Sequence, residues 1–412
     1  MQPPYYELAH KAFEAQRFSD ALELLRAARA EGQGSEAGIL EEASCLYYLC
    51  RAPEAIALVE EVARKNSTNR LAYNAILALY YRAIGEFDVS ARLLSEVPVD
   101  TPGYAFLQGW HLLRQGKFLE GMRIREKEPG IYRADVLYKL PPEKKYQRGS
   151  TLAGLTIALV LEGGNGDEIA YARFAQVLHA RGARVVACAS RGLLSIISRM
   201  PGIAKAITPE ELRPDMYDQY IPALSMISLF DVGNPSEGVT FPYATSSLAG
   251  TTLFKALTDT VAVGRKKIGI QWRGNAQFDY SEFKTFPIEI LVPFAHLGQL
   301  FSLQVDDTRG VEFLSSTAGA YDLQQMGVSW ERTLSAISEM DCVVSGDTTI
   351  AHIAGALGIP TALLLPHAPH AYWADLHEQS TWYPSVRVFR QPHYNDWGGA
   401  ARDAYEWIQR DF

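Results

Sequence analysis

The residues best suited to chemistry stand where a strand pattern gives way to a helix, at Gly346-Asp347-Thr348-Thr349. An apolar run, Cys342–Ser345, precedes them, and a helical pattern continues to Gly358. The first turn of a helix presents N–H groups without helical partners, and with hydroxyls beside them it can receive a phosphate or diphosphate. His352, one turn into the helix, is expected to point to the same place.

The same stretch also fits a purely structural role, in which Asp347 or a neighbouring Thr caps the helix and His352 packs under a loop. Small residues on one side should keep the helix close to a sheet. These residues are Ala351, Ala354, Gly355 and Gly358. A second apolar run, Thr361–Leu365, follows, so the stretch predicts one βαβ unit of a parallel sheet.

A second strand–turn–helix pattern occurs earlier in the chain. Leu155–Glu162 is typical of a buried strand and ends in a glycine-rich turn, Gly163-Gly164-Asn165-Gly166-Asp167. A helix is predicted at Glu168–Arg181 and a strand at Arg184–Ala189. Such turns lie at the ligand-binding edge of α/β sheets. The glycine spacing does not match the dinucleotide fingerprint, so the turn by itself predicts no particular cofactor.

Strands and helices alternate again in the second half of the chain. Lys267–Trp272 predicts a strand that ends at Arg273-Gly274-Asn275, and Leu300–Gln304 predicts another. Helices are predicted at Ile288–His296 and Trp330–Glu339. Two αβ lobes of this kind predict a ligand cleft between the carboxyl ends of their sheets.

From Tyr5 to about Arg125 the sequence predicts amphipathic helices, and the pattern repeats. The segment Phe18–Ala21 (FSDA) recurs as APEA, FDVS and FLEG, ending at Ala55, Ser90 and Gly121. The steps of 34, 35 and 31 residues between the four final positions are close to the tetratricopeptide period of about 34. Short turns are predicted at Gln16-Arg17, Cys50-Arg51, Gly85-Glu86 and Gly116-Lys117. We expect a stack of helix pairs that either docks a partner protein or only stabilises its neighbour.

Composition narrows the class of protein. The net charge of −8 in 412 residues argues against a general nucleic-acid or membrane-surface binder. The four cysteines, Cys45, Cys50, Cys188 and Cys342, lack metal-ligand spacing and indicate buried thiols in a reducing compartment. The first residues do not resemble a secretion signal and no apolar run reaches membrane-spanning length, so we expect a cytoplasmic protein.

Together these blocks resemble the bacterial tetratricopeptide-repeat glycosyltransferases, whose catalytic part is related to the heptosyltransferases of glycosyltransferase family 9. The resemblance spans residues 5–412, and the motif after Gly346 is its most specific part. The blocks are Glu162–Asp167 (EGGNGD), Gly269–Asn275 (GIQWRGN), Ser302–Gln304 (SLQ), Gly346–Gly358 (GDTTIAHIAGALG) and Trp382–Gln391 (WYPSVRVFRQ). The resemblance implies an α/β protein of the GT-B fold: two facing Rossmann-like lobes, preceded here by an all-α tetratricopeptide-repeat-like domain.

The resemblance also implies roles for individual residues. Asp167 takes the place of the heptosyltransferase aspartate proposed as general base, and Lys284 that of a phosphate-contacting lysine. The other expected donor-binding residues are Trp272, Gly274, Asn275, Gln304, Asp347, Thr348, Thr349 and His352, and the expected acceptor-side loop is Gly164, Asn165 and Gly166. The implied chemistry is inverting and uses a nucleotide-sugar as co-substrate, with no metal and no cofactor.

Several of these residues also have structural interpretations. Asp167 can cap its helix, Lys284 can be a solvated side chain and Trp272 can belong to the core. Gln304 can close a loop instead of contacting a base. Asp306-Asp307 is expected to lie in a solvated loop, because no third metal ligand accompanies the pair.

We therefore expect a helical domain at 1–130, a linker and N-terminal acceptor-side lobe at 131–263, a C-terminal donor-side lobe at 264–396 and a closing helix at 397–412. The expected activity is transfer of a sugar from a nucleotide-sugar to a hydroxyl group on a protein docked by the repeats. Two alternatives stay open. One is a transferase that acts on a glycan such as a lipopolysaccharide core, and the other is a catalytically inactive binding module.

Overall fold

The computed structural model describes residues 5–66, 68–128, 138–275 and 281–412. The first two of these ranges form consecutive helices, each of which contacts the next. The helices are α1 Tyr5–Glu14, α2 Phe18–Ala30, α3 Glu36–Tyr48, α4 Ala52–Lys65, α5 Arg70–Ala83, α6 Phe87–Ser95, α7 Tyr104–Arg114 and α8 Phe118–Arg125. They form four successive pairs, as the sequence repeat predicts.

The turn inside each helix pair has the same backbone geometry. Gln16, Cys50, Gly85 and Gly116 all have positive φ, at 58°, 56°, 91° and 76°. One left-handed residue ends the first helix of each pair and lets the chain reverse, and glycine adopts this conformation most easily. The predicted turn positions are therefore confirmed, while the tetratricopeptide assignment stays a prediction.

The first α/β lobe has a parallel four-stranded sheet in the order β3-β2-β1-β4. Its strands are β1 Thr156–Val160, β2 Arg184–Cys188, β3 Ile203–Ile207 and β4 Gln219–Pro222. Its helices are α9 Asn165–Ala172, α10 Ala175–Ala180, α11 Leu194–Ile197, α12 Met226–Phe230 and α13 Leu248–Ala262. The single helix predicted after Asp167 is thus two helices, which are separated at Arg173-Phe174.

The two faces of this sheet are covered differently. Helices α9 and α10 pack on one face, whereas Leu140 from the predicted linker and Tyr217 from a turn pack with Val160 on the other. The N–H of Tyr146 also donates a hydrogen bond to the Tyr220 carbonyl of edge strand β4, at 3.0 Å. The described part of the linker therefore packs against the sheet as part of this lobe. Residues 129–137 lie outside the described residues.

The second α/β lobe has a parallel six-stranded sheet in the order β10-β9-β8-β5-β6-β7. Its strands are β5 Lys267–Gln271, β6 Gln299–Ser302, β7 Tyr321–Asp322, β8 Cys342–Ser345, β9 Thr361–Leu365 and β10 Val386–Arg390. Its α-helices are α14 Ser281–Lys284, α15 Thr308–Ala318, α16 Trp330–Ile337, α17 Thr349–Leu357 and α18 Trp397–Asp411. The segment Ile288–His296 is a 3₁₀ helix that contains Pro293, which has no N–H group to donate.

Two separate parallel sheets preceded by a helical domain confirm the predicted fold class. Within the described ranges, every helix is too short or too polar to cross a lipid bilayer.

The two lobes meet where α9 packs against α17. A Cβ atom added to Gly166 at the start of α9 would lie 2.8 Å from the His352 ring on α17. A Cβ atom added to Gly355 would overlap the ring of Tyr383, which follows β9. Gly355 therefore leaves room for the Tyr383 ring. The sequence predicts a different role for this glycine, namely to let the helix lie close to the sheet.

We expect Gly355→Ala to destabilise the protein, although alanine is the better helix former by about 1 kcal/mol. A methyl group forced into a packed core typically costs about 1–3 kcal/mol, and the Tyr383 ring is fully buried. Thermal denaturation followed by circular dichroism should show a lower melting temperature. Gly233→Ala is the matched control, because a Cβ atom there meets nothing within 4 Å. A melting temperature equal to that of the control would contradict the expectation.

Candidate active site

Asp167 lies in the first turn of α9 and contacts both lobes. Its Oδ2 accepts a hydrogen bond from the N–H of Gly164, at 2.8 Å, and its Oδ1 accepts one from the hydroxyl of Tyr372. Gly163 has φ +92°, and a Cβ atom there would lie 2.6 Å from Oδ2 of Asp167. The glycine-rich turn is therefore shaped to admit this carboxylate.

The surroundings of Asp167 change the pKa of its carboxyl group. Burial raises the pKa of the Asp167 carboxyl group, and the negative charge of Asp347 adds to this effect. The hydrogen bonds from Tyr372 and Gly164 and the positive charge of Lys284 oppose the rise in pKa, but burial outweighs them. A carboxylate with a raised pKa is a stronger base than an ordinary aspartate.

Lys284 and Asp347 form an ion pair, with 3.1 Å between Nζ and Oδ2. The other oxygen of Asp347 accepts a hydrogen bond from the indole N–H of Trp373, at 2.9 Å. Burial alone would raise the pKa of Asp347, but the opposing charge of Lys284 is the principal influence that holds this pKa well below its ordinary value. Asp347 is therefore an anion that holds Lys284 and Trp373, and of the two capping alternatives it is Thr348, not Asp347, that occupies the cap position.

The start of α17 has no side-chain cap. Thr348 occupies the cap position, but its hydroxyl donates to Oε1 of Gln271, at 3.0 Å, instead of accepting from the helix. The hydroxyl of Ser345 donates to the same oxygen, at 2.9 Å. Half-buried Thr349 begins the helix. Uncapped N–H groups in a first turn are suited to an anionic ligand.

His352 is buried at the contact between the two lobes. Its Nδ1 shares a hydrogen bond with the Tyr383 hydroxyl, at 2.9 Å, and its ring lies against Gly166 and 5.8 Å from the Tyr372 ring. Burial lowers the pKa of His352 to about 4, so the imidazole is neutral at pH 7. His352 is thus a packed histidine in this structure, and its expected contact with the donor stays a prediction.

Gln304 and Trp272 support the turn after β5. Oε1 of Gln304 accepts hydrogen bonds from the backbone N–H of Trp272 and of Arg273, at 3.2 and 3.0 Å. Trp272 is buried, and its indole N–H donates to Asp307, at 2.8 Å. Asp307 also accepts from the N–H of Gly310 and so caps α15. The expectation of a solvated Asp306-Asp307 loop is therefore wrong for Asp307.

The remaining predicted site residues lie along the two helix starts. A Cβ atom on Gly274 would lie 3.6 Å from Thr348, so this glycine borders the start of α17. Asn275 follows it and is the last described residue before 276–280. Gly164 is the residue before α9, and Asn165 and Gly166 begin that helix. The structure thus brings the turn of Asp167, the Lys284–Asp347 pair, Gly274, Thr348 and His352 to one contact, whereas Trp272 and Gln304 support the turn that leads to Gly274.

Three residues at this contact were missed by the sequence analysis. Tyr372 and Trp373 follow β9 and hold Asp167 and Asp347. Arg173 is almost fully buried; it donates to the Tyr243 hydroxyl, at 3.0 Å, and its guanidinium lies 4.3 Å from the centre of the Tyr383 ring. The position of Tyr372 and Trp373 just beyond the carboxyl end of a strand is a signal that could have identified them.

Within the described ranges, no three His, Cys, Asp or Glu side chains are grouped so that they could hold a metal ion.

No protein-family model and no curated protein sequence matches this chain. Among solved structures, it is similar to the Escherichia coli ADP-heptose lipopolysaccharide heptosyltransferase II (13% identity, 62% of this chain and 99% of that one, TM-score 0.48). It is also similar to a family 9 glycosyl transferase from Veillonella parvula (10%, 64% and 99%, TM-score 0.47). A point mutant of the Thermobaculum terrenum O-GlcNAc transferase is similar over 98% of this chain and 92% of that one, at 12% identity and a TM-score of 0.32. At these identities the similarities assign neither a family nor an activity to this chain.

Proposed function

We propose that this protein is a glycosyltransferase that moves a sugar from a nucleotide-sugar donor to a hydroxyl group, with inversion and without a metal. The observation that supports this proposal is that a carboxylate suited to act as a base and a set of anion-binding groups lie together at the contact of α9 and α17. Asp167, with its raised pKa, comes from one lobe. Lys284 and an uncapped helix start come from the other.

In the proposed reaction, the acceptor hydroxyl attacks the anomeric carbon of the donor. The bond from that carbon to the diphosphate oxygen breaks, and its electron pair leaves with the nucleoside diphosphate. The N–H groups at the start of α17 and the Lys284 ammonium stabilise the charge that develops there. Asp167 takes the proton of the attacking hydroxyl, a contribution of typically about 10²–10⁴-fold.

Tyr372 and Asp347 orient Asp167 and Lys284, respectively. The Tyr372 hydroxyl donates to one oxygen of Asp167, which fixes the plane of the carboxylate. Asp347 holds the Lys284 ammonium beside the helix start. We assign Asp347 and Tyr372 to positioning, and Asp167 and Lys284 to direct contact with the reacting molecules.

We further propose a protein acceptor that docks on residues 1–130, and a cytoplasmic location. The stack of helix pairs supports the first proposal, because such arrays present extended surfaces to partner proteins. The second is supported by the four cysteines, which are all unpaired and of which three are buried. A glycan-directed transferase remains the alternative acceptor class.

The test uses the full chain in a buffer that contains a chelator. ADP, GDP, UDP and CDP are titrated by calorimetry, and the matching nucleotide-sugars are followed for release of the diphosphate. We expect one base to be preferred, and the corresponding nucleotide-sugar to be turned over with the chelator present. Failure of all four diphosphates to bind would reject the proposal. Binding of one diphosphate without turnover, on any protein or glycan acceptor tried, would favour the inactive binding module.

A further inference from the structure

We propose that the helical domain forms part of the donor site, because Phe283, buried in the core of that domain, fixes the position of Lys284. The role of Lys284 in donor binding rests on the proposed function. The positioning of Lys284 by Phe283 rests on the contacts of the two residues alone.

Phe283 belongs to the helical domain by packing, although it belongs to the second lobe by sequence. Its side chain is 5% exposed and is part of the core formed by α1–α5. Its ring centre lies 4.9 Å from that of Tyr47 on α3, and Tyr47 stacks on Tyr80 of α5 at 4.7 Å. The short helix α14 is therefore held by side chains of the helical domain.

Three residues later the chain is held by the other domain. Phe286 is buried in the core of the second lobe, where its ring lies 5.4 Å from that of Trp397. Its N–H donates to the carbonyl of Trp272, at 3.2 Å. Lys284 lies between these two anchors, so its position depends on contacts with both domains.

The backbone at Lys284 is also close to the helix start. A Cβ atom on Gly346 would lie 3.0 Å from the Lys284 carbonyl oxygen. A displacement of α14 would thus change the distance between the Lys284 ammonium and both Asp347 and the first turn of α17. A lysine side chain has several rotatable bonds, so an anchored backbone reduces the conformational freedom that is lost on binding an anion.

Further contacts join the helical domain to the segment after β9, which includes Tyr372 and Trp373. The indole N–H of Trp110 on α7 donates to the carbonyl of Pro369, at 2.8 Å. The ring of Phe87 stacks on that of His367, with 5.5 Å between centres and 10° between planes. The turns at residues 50 and 85 lie against the second lobe, because Asn395 donates to the Cys50 carbonyl, at 3.4 Å, and a Cβ atom on Gly85 would overlap the His367 ring. Removing the helical domain would disturb donor binding as well as acceptor docking.

The test compares Phe283→Leu and Phe283→Ala with Leu25→Ala. Leu25 is 4% exposed in the same core, on α2, and serves as the control for general destabilisation. Phe283→Leu keeps most of the buried volume and is the variant to use should Phe283→Ala not fold, as judged by circular dichroism. All variants are studied as full chains, well below their melting temperatures.

The first measurement is independent of function. Reductive methylation with ¹³C-formaldehyde, followed by peptide mass spectrometry, gives the labelling rate of Lys284. Because the side chain is 25% exposed and paired with Asp347, we expect slow labelling in the wild type. The rate should rise severalfold in both Phe283 variants and stay unchanged in Leu25→Ala. An unchanged rate in the Phe283 variants, or an equal rise in Leu25→Ala, would overturn the proposal.

The second measurement is a double-mutant cycle on the affinity for the preferred nucleoside diphosphate. We expect Phe283→Ala to weaken binding by about tenfold, and the double variant with Lys284→Ala to bind no more weakly than Lys284→Ala alone. Additive losses would contradict positioning through Lys284. The wild type could bind no diphosphate while Lys284 is still labelled faster in the Phe283 variants than in Leu25→Ala. In that case the proposed function fails and the positioning of Lys284 by Phe283 stands.

Discussion

Asp167→Asn is expected to lower the rate of sugar transfer by about 10²–10⁴-fold, while the affinity for the nucleoside diphosphate stays within about twofold. An amide has the same shape as a carboxylate but cannot accept the proton of the attacking hydroxyl. It can still accept one of the two hydrogen bonds that Asp167 receives from Gly164 and Tyr372, so the turn should keep its conformation.

The pH dependence of kcat/KM separates a missing base from a distorted site. A base acts in its deprotonated form, so the wild-type rate should fall as the pH drops through the pKa of Asp167. Because burial raises this pKa above the ordinary aspartate value, the fall should occur at a higher pH than for an exposed aspartate. Asp167→Asn should lose this acid limb. The control is Asp215→Asn, a change at an exposed aspartate. Wild-type turnover in Asp167→Asn would exclude the assigned role.

Lys284→Ala is expected to weaken binding of the nucleoside diphosphate by about 10–150-fold. This range corresponds to the loss of one charge-assisted hydrogen bond worth about 1.5–3 kcal/mol. Since the change also removes the cationic partner of buried Asp347, the pKa of that carboxyl group should rise from its depressed value. Lower stability at neutral pH is therefore expected as well, because a buried charge without its partner is costly.

Calorimetric titration and thermal denaturation measure the two effects separately. Lys284→Arg retains the positive charge and should recover most of the stability, with partial recovery of the affinity. Lys255→Ala, which removes a largely exposed lysine from α13, is the control for the loss of one positive charge. Equal affinities for Lys284→Ala and Lys255→Ala would show that Lys284 does not contact the diphosphate.

The features that the sequence predicts well are those set by local pattern. The positions of the four turns from Gln16 to Gly116 follow from the repeat, and each has a left-handed residue. Strand β8 and helix α17 follow from an apolar run and a polar turn. In each case, the signal lies within one helix pair or one βαβ unit.

The features that the sequence does not predict depend on contacts between distant segments. The partners of Asp347 are Lys284 and Trp373, which lie 63 residues before it and 26 residues after it. Nothing in the local pattern distinguishes such an aspartate from a helix cap. Arg173 is not predicted for the same reason, because its aromatic neighbours are distant in sequence: Phe241 and Tyr243 follow in the same lobe, and Trp382 and Tyr383 belong to the other.

Different segments of the chain cover the two faces of the first sheet, and this limits how far the chain can be shortened from its N-terminal side. Leu140 packs on the face of that sheet that includes Val160 and Tyr220, and the N–H of Tyr146 pairs with edge strand β4, although both residues precede the first strand. A catalytic fragment that began at Leu155 would expose this apolar face to water and invite aggregation. Expression plasmids for the two lobes should therefore start upstream of Tyr138, even though the strand–helix alternation begins well after it.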